Sequence, residues 1–372
     1  MLSHDIFAMQ RMGGFTRYFT ELHRAYRRRG IRSTVLAPLY LCDFLSRDDH
    51  VCGLHIPPRL RVKGAWRLAS QLDHLAEPAA LAFLRRRHTN VVFHRTNYSS
   101  VPPSRGVATA ITVHDMIHEN HAHDFPARDQ TANRKRLWCE QADVVIAVSH
   151  YTKTQVINLL GIDSDQVFVC HHGATETEPD AAALESLETK RPFLLYVGDR
   201  SRYKNFDRLI ASFGRTSAAK DGIGLVAFGG GSPPASELEE IDQGGISELV
   251  SFAHGDDALL AAYYATAVGF IYPSLDEGFG LPPLEAMLHK CPVAASNAGA
   301  IPEVVGDAAL LFDPTDVSAM ATAIDLLVAD SDLRARLMKT GIERASSFTW
   351  ESTAESTLEA YAFALSHAKE KA

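Results

Sequence analysis

Along this chain, short runs of β-branched and apolar residues alternate with helical stretches, and the whole pattern restarts once. In the first half the runs at residues 91–93, 108–113, 144–148 and 167–169 are too short and too uniformly apolar for half-exposed strands. They read as buried parallel strands, separated by helices over 15–28 and 127–141. A segment rich in Glu, Thr and Ala follows, read as a linker over 177–190. The second half predicts strands at 193–197, 224–228, 249–252, 268–272 and 292–296, with helices at 205–213, 257–265 and 281–289. This dictates an α/β fold of two Rossmann-like domains, residues 1–176 and 191–349, with parallel sheets facing a central cleft. Ligands of such sheets bind outside the carboxyl ends of the strands. Residues 350–372 read as a final helix that packs back on the N-terminal domain. Only Ile6 to Ala8 represents a first strand ahead of Gly13, so that strand is either short or begins upstream.

The length of 372 residues suits two domains. The sequence has no run of about 18 uncharged apolar residues to span a membrane, and the first 14 residues lack the apolar core of a signal peptide. Five scattered cysteines with no Cys-x-x-Cys pair argue against a disulfide framework or zinc site and fit a reducing cytoplasm. Net charge is −8, yet the first 176 residues carry 22 Lys+Arg against 16 Asp+Glu, and the remainder 15 against 29. The positive half includes Arg27-Arg28-Arg29, Arg59, Arg61, Lys63, Arg67 and Arg85-Arg86-Arg87. Such a half can meet anionic lipid headgroups or a phosphorylated acceptor, or form a solvated helix face. Nucleic acid is disfavoured by the negative total and the lack of an aromatic-basic platform.

Chemistry concentrates at Glu277-Gly-Phe-Gly-Leu-Pro-Pro-Leu-Glu285, just after an apolar run. Gly278 and Gly280 let backbone approach a ligand, and Pro282-Pro283 suits the first turn of a helix. The loop amides and helix N-terminus would face a phosphate. Two carboxylates eight positions apart would be repelled by a diphosphate, so they serve better as acceptors from sugar hydroxyls. Gly229-Gly230-Gly231 also follows a strand, but it lacks the Gly-x-Gly-x-x-Gly turn of a dehydrogenase.

With its Glu-x7-Glu pattern, this segment resembles retaining GT-B glycosyltransferases of family four (glycosyl transferases group 1). Further matches run in order: Gly13-Gly14-Phe-Thr-Arg17-Tyr18, Thr112-Val-His114-Asp115, Ala142 to Ser149, Tyr196-Val-Gly-Asp-Arg200-Ser-Arg-Tyr-Lys204-Asn205, and the stretch holding Ser296-Asn297-Ala-Gly-Ala-Ile-Pro302-Glu303. The resemblance implies that Arg200 and Lys204 neutralise a donor diphosphate in place of a metal ion, with Arg202 a competing candidate. It implies that Glu277 holds the transferred sugar and Glu285 the ribose, while the amides of Gly278, Phe279, Gly280 and Leu281 contact sugar and phosphate. Gly13 and Gly14 would meet the diphosphate from the other domain. His114 would touch the donor sugar, and Asp115 would either orient it or face the acceptor. His94, Arg95, Thr96 and Tyr98 follow another strand and could line the acceptor side.

The implied reaction moves a hexose from a nucleotide sugar, GDP-mannose or a UDP-hexose, to a saccharide or lipid-linked saccharide in surface polysaccharide synthesis. The motif offers no nucleophile for double displacement, so the family reading is front-face attack without a metal or other cofactor. The Gly-Gly-x-x-Arg-Tyr start resembles bacterial mannosyltransferases. The competing readings are a nucleotide-sugar epimerase or hydrolase of the same fold, and a non-catalytic sugar-nucleotide-binding protein. The expected location is the cytoplasm, at the inner membrane face.

Overall fold

The computed structural model describes residues 1–11, 13–56, 77–83, 86, 88, 90–99, 101, 106–187 and 191–370. The chain forms two compact units, one of residues 1–173 with 350–372 and one of residues 174–349.

In the first unit β1 (Val35–Tyr40) pairs with β2 (Val51–His55). A second parallel ladder runs β3 (Val92–Arg95), β4 (Ala108–Val113), β5 (Val144–Ala147), β6 (Val167–Val169). Leu2 joins the two ladders through parallel bridges to Val35 and His94. The strand expected at Ile6 to Ala8 is instead a helix, Asp5–Met9. Thr96 Oγ1 accepts from the Ile6 amide (3.1 Å), and Ala8 and Gln10 close helical bonds to His4 and Ile6. An apolar triplet fits either period; here the place of a first strand falls to Met1–Ser3. Helix Trp350–Glu370 packs through Ala354, Ala360 and Ala364, all 0% exposed, into the cores of this unit. Tyr361 on that helix shares a 2.7 Å hydrogen bond with His94 Nδ1.

The second unit holds six parallel strands: β7 (Phe193–Val197), β8 (Gly224–Phe228), β9 (Val250–Ala253), β10 (Gly269–Tyr272), β11 (Val293–Ser296) and β12 (Leu310–Phe312). Their order is β12-β11-β10-β7-β8-β9. Chain direction across the sheet therefore reverses between β7 and β10, the topological switch point where open α/β sheets bind ligands. The residues read as a linker count with this unit and include a helix, Ala181–Glu185, capped by Asp180.

Candidate functional site

The loops after β7 and β10 are neighbours at the switch point, and the sequence ties them together. Leu275 N donates to Tyr203 O (2.7 Å). Asn205, fully buried with φ 61°, donates through Nδ2 to Pro273 O and Pro314 O (2.9 and 2.8 Å). That anchoring fixes the adjacent Lys204, whose Nζ lies 2.6 Å from Glu277 Oε1. Side-chain exposures of 15% and 11% keep the pair largely away from water. Burial pulls the Lys204 pKa down, but the charge of Glu277, with Tyr203 and Asp199, outweighs it and the net shift is upward. Tyr272 is held well above its usual pKa, first by burial and then by the Glu277 carboxylate that its hydroxyl faces.

Glu277 is itself pinned by its backbone. Its carbonyl accepts from Ala300 N (3.0 Å) in the loop after β11. Gly299 in that loop has φ 60°, and a Cβ there would fall 2.7 Å from Glu277 N and 2.9 Å from its carbonyl oxygen. Only glycine meets both demands. Gly280, with φ 120°, starts helix Leu281–Leu288 with proline in its first turn. Glu285 lies on this helix, with Tyr264 OH 3.5 Å from its Oε2. Phe279 is buried, edge-on to Phe348 at 5.7 Å, which leaves its backbone rather than its ring for a ligand.

Arg200 points elsewhere. Nη1 donates to Gly229 O (2.8 Å), Nη2 to Gly230 O and Gly231 O (3.2 and 2.9 Å), and Nε pairs with Glu237 at 2.7 Å. Arg202 is exposed on the short turn Arg202–Lys204.

In the first unit His114 follows β4, stacked on Phe15 at 4.2 Å and edge-on to Tyr18 at 5.0 Å. It is 7% exposed, and neither ring nitrogen has a hydrogen-bond partner among the described residues. Burial first, then His94 and Lys135, lower its pKa to about 3, so the imidazole is neutral. Asp115 does not orient it: Oδ1 accepts from Ile117 N (3.1 Å) and lies 3.8 Å from Lys135 Nζ. Gly13 and Gly14 begin helix Gly14–Arg28, which carries Phe15 to His114. A Cβ on Gly13 would collide with Gln10, whereas Gly14 has open space around it.

The residues expected on an acceptor side are mostly interior. His94 bonds Tyr361 and Thr112, Arg95 is fully buried between Asp5 and Glu77, and Thr96 is enclosed with Ser3. Tyr98, half-buried, donates to Thr112 O (3.4 Å). Polar side chains that trail a strand satisfy the unit's own core here. Of the basic run, Arg28 pairs with Glu351, Arg29 with Glu355, and Arg27 bonds Asp48 O. Arg86 is exposed, and Arg59, Arg61, Lys63, Arg67, Arg85 and Arg87 lie outside the described residues. No helix among the described residues is long and apolar enough to cross a membrane. Cys42, Cys139, Cys170 and Cys291 are buried and Cys52 is exposed.

The anchoring roles of Asn205 and Gly299 and the company of Tyr272 have no sequence signature: an asparagine beside a lysine and a glycine between alanines do not reveal their contacts.

Two family models match the chain one after the other: Glycosyltransferase Family 4 over residues 12–177 and Glycosyl transferases group 1 over residues 180–344. The chain belongs to the family-four glycosyltransferases. Their junction falls close to the boundary between the two units of this glycosyltransferase, at residues 173 and 174. Among curated relatives, the O-antigen chain mannosyltransferase B of Escherichia coli is 27% identical over 301 residues, 77% of this chain and 78% of that one. Sucrose-phosphate synthase from Thermosynechococcus elongatus superposes with a TM-score of 0.72 at 22% identity, covering 97% of each chain. Anabaena HepE, solved with UDP and glucose, superposes at 0.69 and 19% identity, covering 96% of this glycosyltransferase and 98% of HepE. Both likenesses establish the two-domain GT-B fold.

Proposed function

We propose that this glycosyltransferase moves a hexose, mannose in our reading, from a nucleotide-sugar donor to a saccharide or lipid-linked saccharide of a surface polysaccharide, with retention of configuration. The observation that carries the reading is the Lys204–Glu277 contact of 2.6 Å at the switch point of the second unit. A cation suited to a phosphate and a carboxylate suited to sugar hydroxyls stand side by side, each the other's counter-ion. A nucleotide sugar replaces both halves of the pair at once: its diphosphate takes Lys204 and its hexose hydroxyls take Glu277. Glu285, one helical turn beyond Leu281, takes the ribose. The amides from Gly278 to Leu281 complete the phosphate side.

Lys204 stabilises the charge that grows on the leaving diphosphate, which is the role the resemblance gives it in place of a metal. Glu277 is occupied with hydroxyls, and attack comes from the face of the departing phosphate, which accepts the acceptor's proton. His114, neutral and with unsatisfied ring nitrogens, is suited to a sugar hydroxyl. The O-antigen mannosyltransferase relative supports mannose and a polysaccharide acceptor, whereas UDP bound to HepE keeps a UDP-hexose in contention.

Thermal-shift titration with GDP, UDP, ADP and dTDP tests the donor site, and GDP is expected to stabilise most. No shift with any of them would sink the reading. Incubation with GDP-mannose or UDP-glucose, with and without oligosaccharide acceptors, follows. Donor turnover that ignores the acceptor would show a hydrolase or epimerase instead.

A further inference from the structure

Arg200 is the cation that motif reading sends to the donor phosphates, yet its guanidinium is closed off. The side chain is 5% exposed. Three backbone carbonyls and one carboxylate surround it, and Phe252 lies 5.0 Å from Cζ. The three carbonyls belong to Gly229, Gly230 and Gly231, with φ of 97°, 70° and 69°. Side-chain-bearing residues avoid that conformation, so the loop is built to turn three carbonyls to one side.

Across a planar trans peptide, the carbonyl of one residue and the amide of the next point in opposite directions. The carbonyls gathered on Arg200 therefore turn the amides of Gly230, Gly231 and Ser232 away from it. None of those three amides has a protein acceptor among the described residues, and all three residues are exposed. The loop follows β8, next to β7 in the sheet, on the same carboxyl edge as Lys204.

We infer that Arg200 is a positioning residue: it holds the Gly229–Gly231 loop so that its outward amides serve the phosphates of the donor, and Lys204 is the side chain that touches them. This rests on the donor reading above. Glu237 completes the device from the far side, keeping the guanidinium charge compensated inside the fold.

Three variants separate this from direct contact. Titrate the wild-type protein and each variant with GDP and UDP by calorimetry at two salt concentrations. Gly230→Ala keeps every charge, but its Cβ would fall 2.7 Å from Arg200 Nη1. Arg200→Gln removes the clasp, and Lys204→Gln removes the proposed phosphate ligand. Gly230→Ala and Arg200→Gln are expected to weaken the nucleotide by about tenfold while keeping the wild-type salt dependence. Lys204→Gln should lose affinity and flatten the salt dependence. Wild-type affinity in Gly230→Ala or a flattened salt dependence in Arg200→Gln would overturn the inference. A wild-type protein that binds neither nucleotide sinks the donor reading itself, a distinguishable result.

Discussion

Nζ of Lys204 lies 2.6 Å from Oε1 of Glu277, although 73 residues separate them in sequence. Each charge satisfies the other in a setting where either alone would be costly. On the proposed donor reading, binding exchanges partners rather than fills a vacancy, and the two ends of the donor are read together.

Glu277→Gln should uncouple the two ends. Lys204 no longer has a competing carboxylate, so a nucleoside diphosphate should bind about tenfold more tightly, equivalent to about 1.4 kcal/mol. Sugar transfer should fall by about two orders of magnitude or more. Calorimetry and product analysis on the same sample check both, and weaker nucleotide binding in this variant would contradict the exchange.

Lys204→Met leaves Glu277 as a lone, 8% exposed carboxylate. Breaking one side of such a pair should lower stability by about 3 kcal/mol. Lys204→Met with Glu277→Gln should recover most of that in urea unfolding while remaining inactive. If the double variant is no more stable than the single one, the pair is not what stabilises the loop.

Gly299→Ala acts on Glu277 from behind, since the added Cβ would sit 2.7 Å from its amide nitrogen. The loop must shift, so kcat should drop by tenfold or more with nucleotide affinity little changed. Equal losses in kcat and nucleotide affinity would point to collapse of the whole site.

Acid should destabilise the first unit through its histidines. Burial lowers the pKa of His94 and of His114 to about 3, while the unfolded chain titrates near 6.5. Between those values the unfolded state binds more protons. Stability thus rises with pH across this window and is lost as pH falls from 6.5 towards 3, by up to about 1.4 kcal/mol per histidine per pH unit. Urea unfolding of wild type and His94→Gln at pH 5 and 7.5 should show a shallower pH dependence in the variant. An unchanged dependence would show that His94 does not drive it.

The strands β4, β7 and β8 are readable to the residue because they are apolar runs buried almost throughout. By contrast β1, with Pro38 inside it, β2, exposed along most of its length, and the three-residue β12 carry no such signature. The family resemblance puts Lys204 and Glu277 at one site, but their direct contact is not legible in the sequence, because no local pattern encodes a contact between two loops. The carbonyl partners of Arg200 are hidden for a related reason: a basic residue near a glycine-rich strand end looks the same in sequence whether it binds phosphate or backbone carbonyls. The same ambiguity placed His94 and Arg95 on a binding surface when their partners, Tyr361 and Glu77, complete a core.

Helix Trp350–Glu370 belongs to the first unit although the entire second unit precedes it in the chain. A ribosome that has made residues 1–349 has delivered everything the second unit needs. It has not yet delivered Ala354, Ala360 or Ala364, which the first unit buries. During synthesis the half begun first is thus completed last, and until then the cluster of Val92, Ala110 and Ile146 lacks the helix that packs on it.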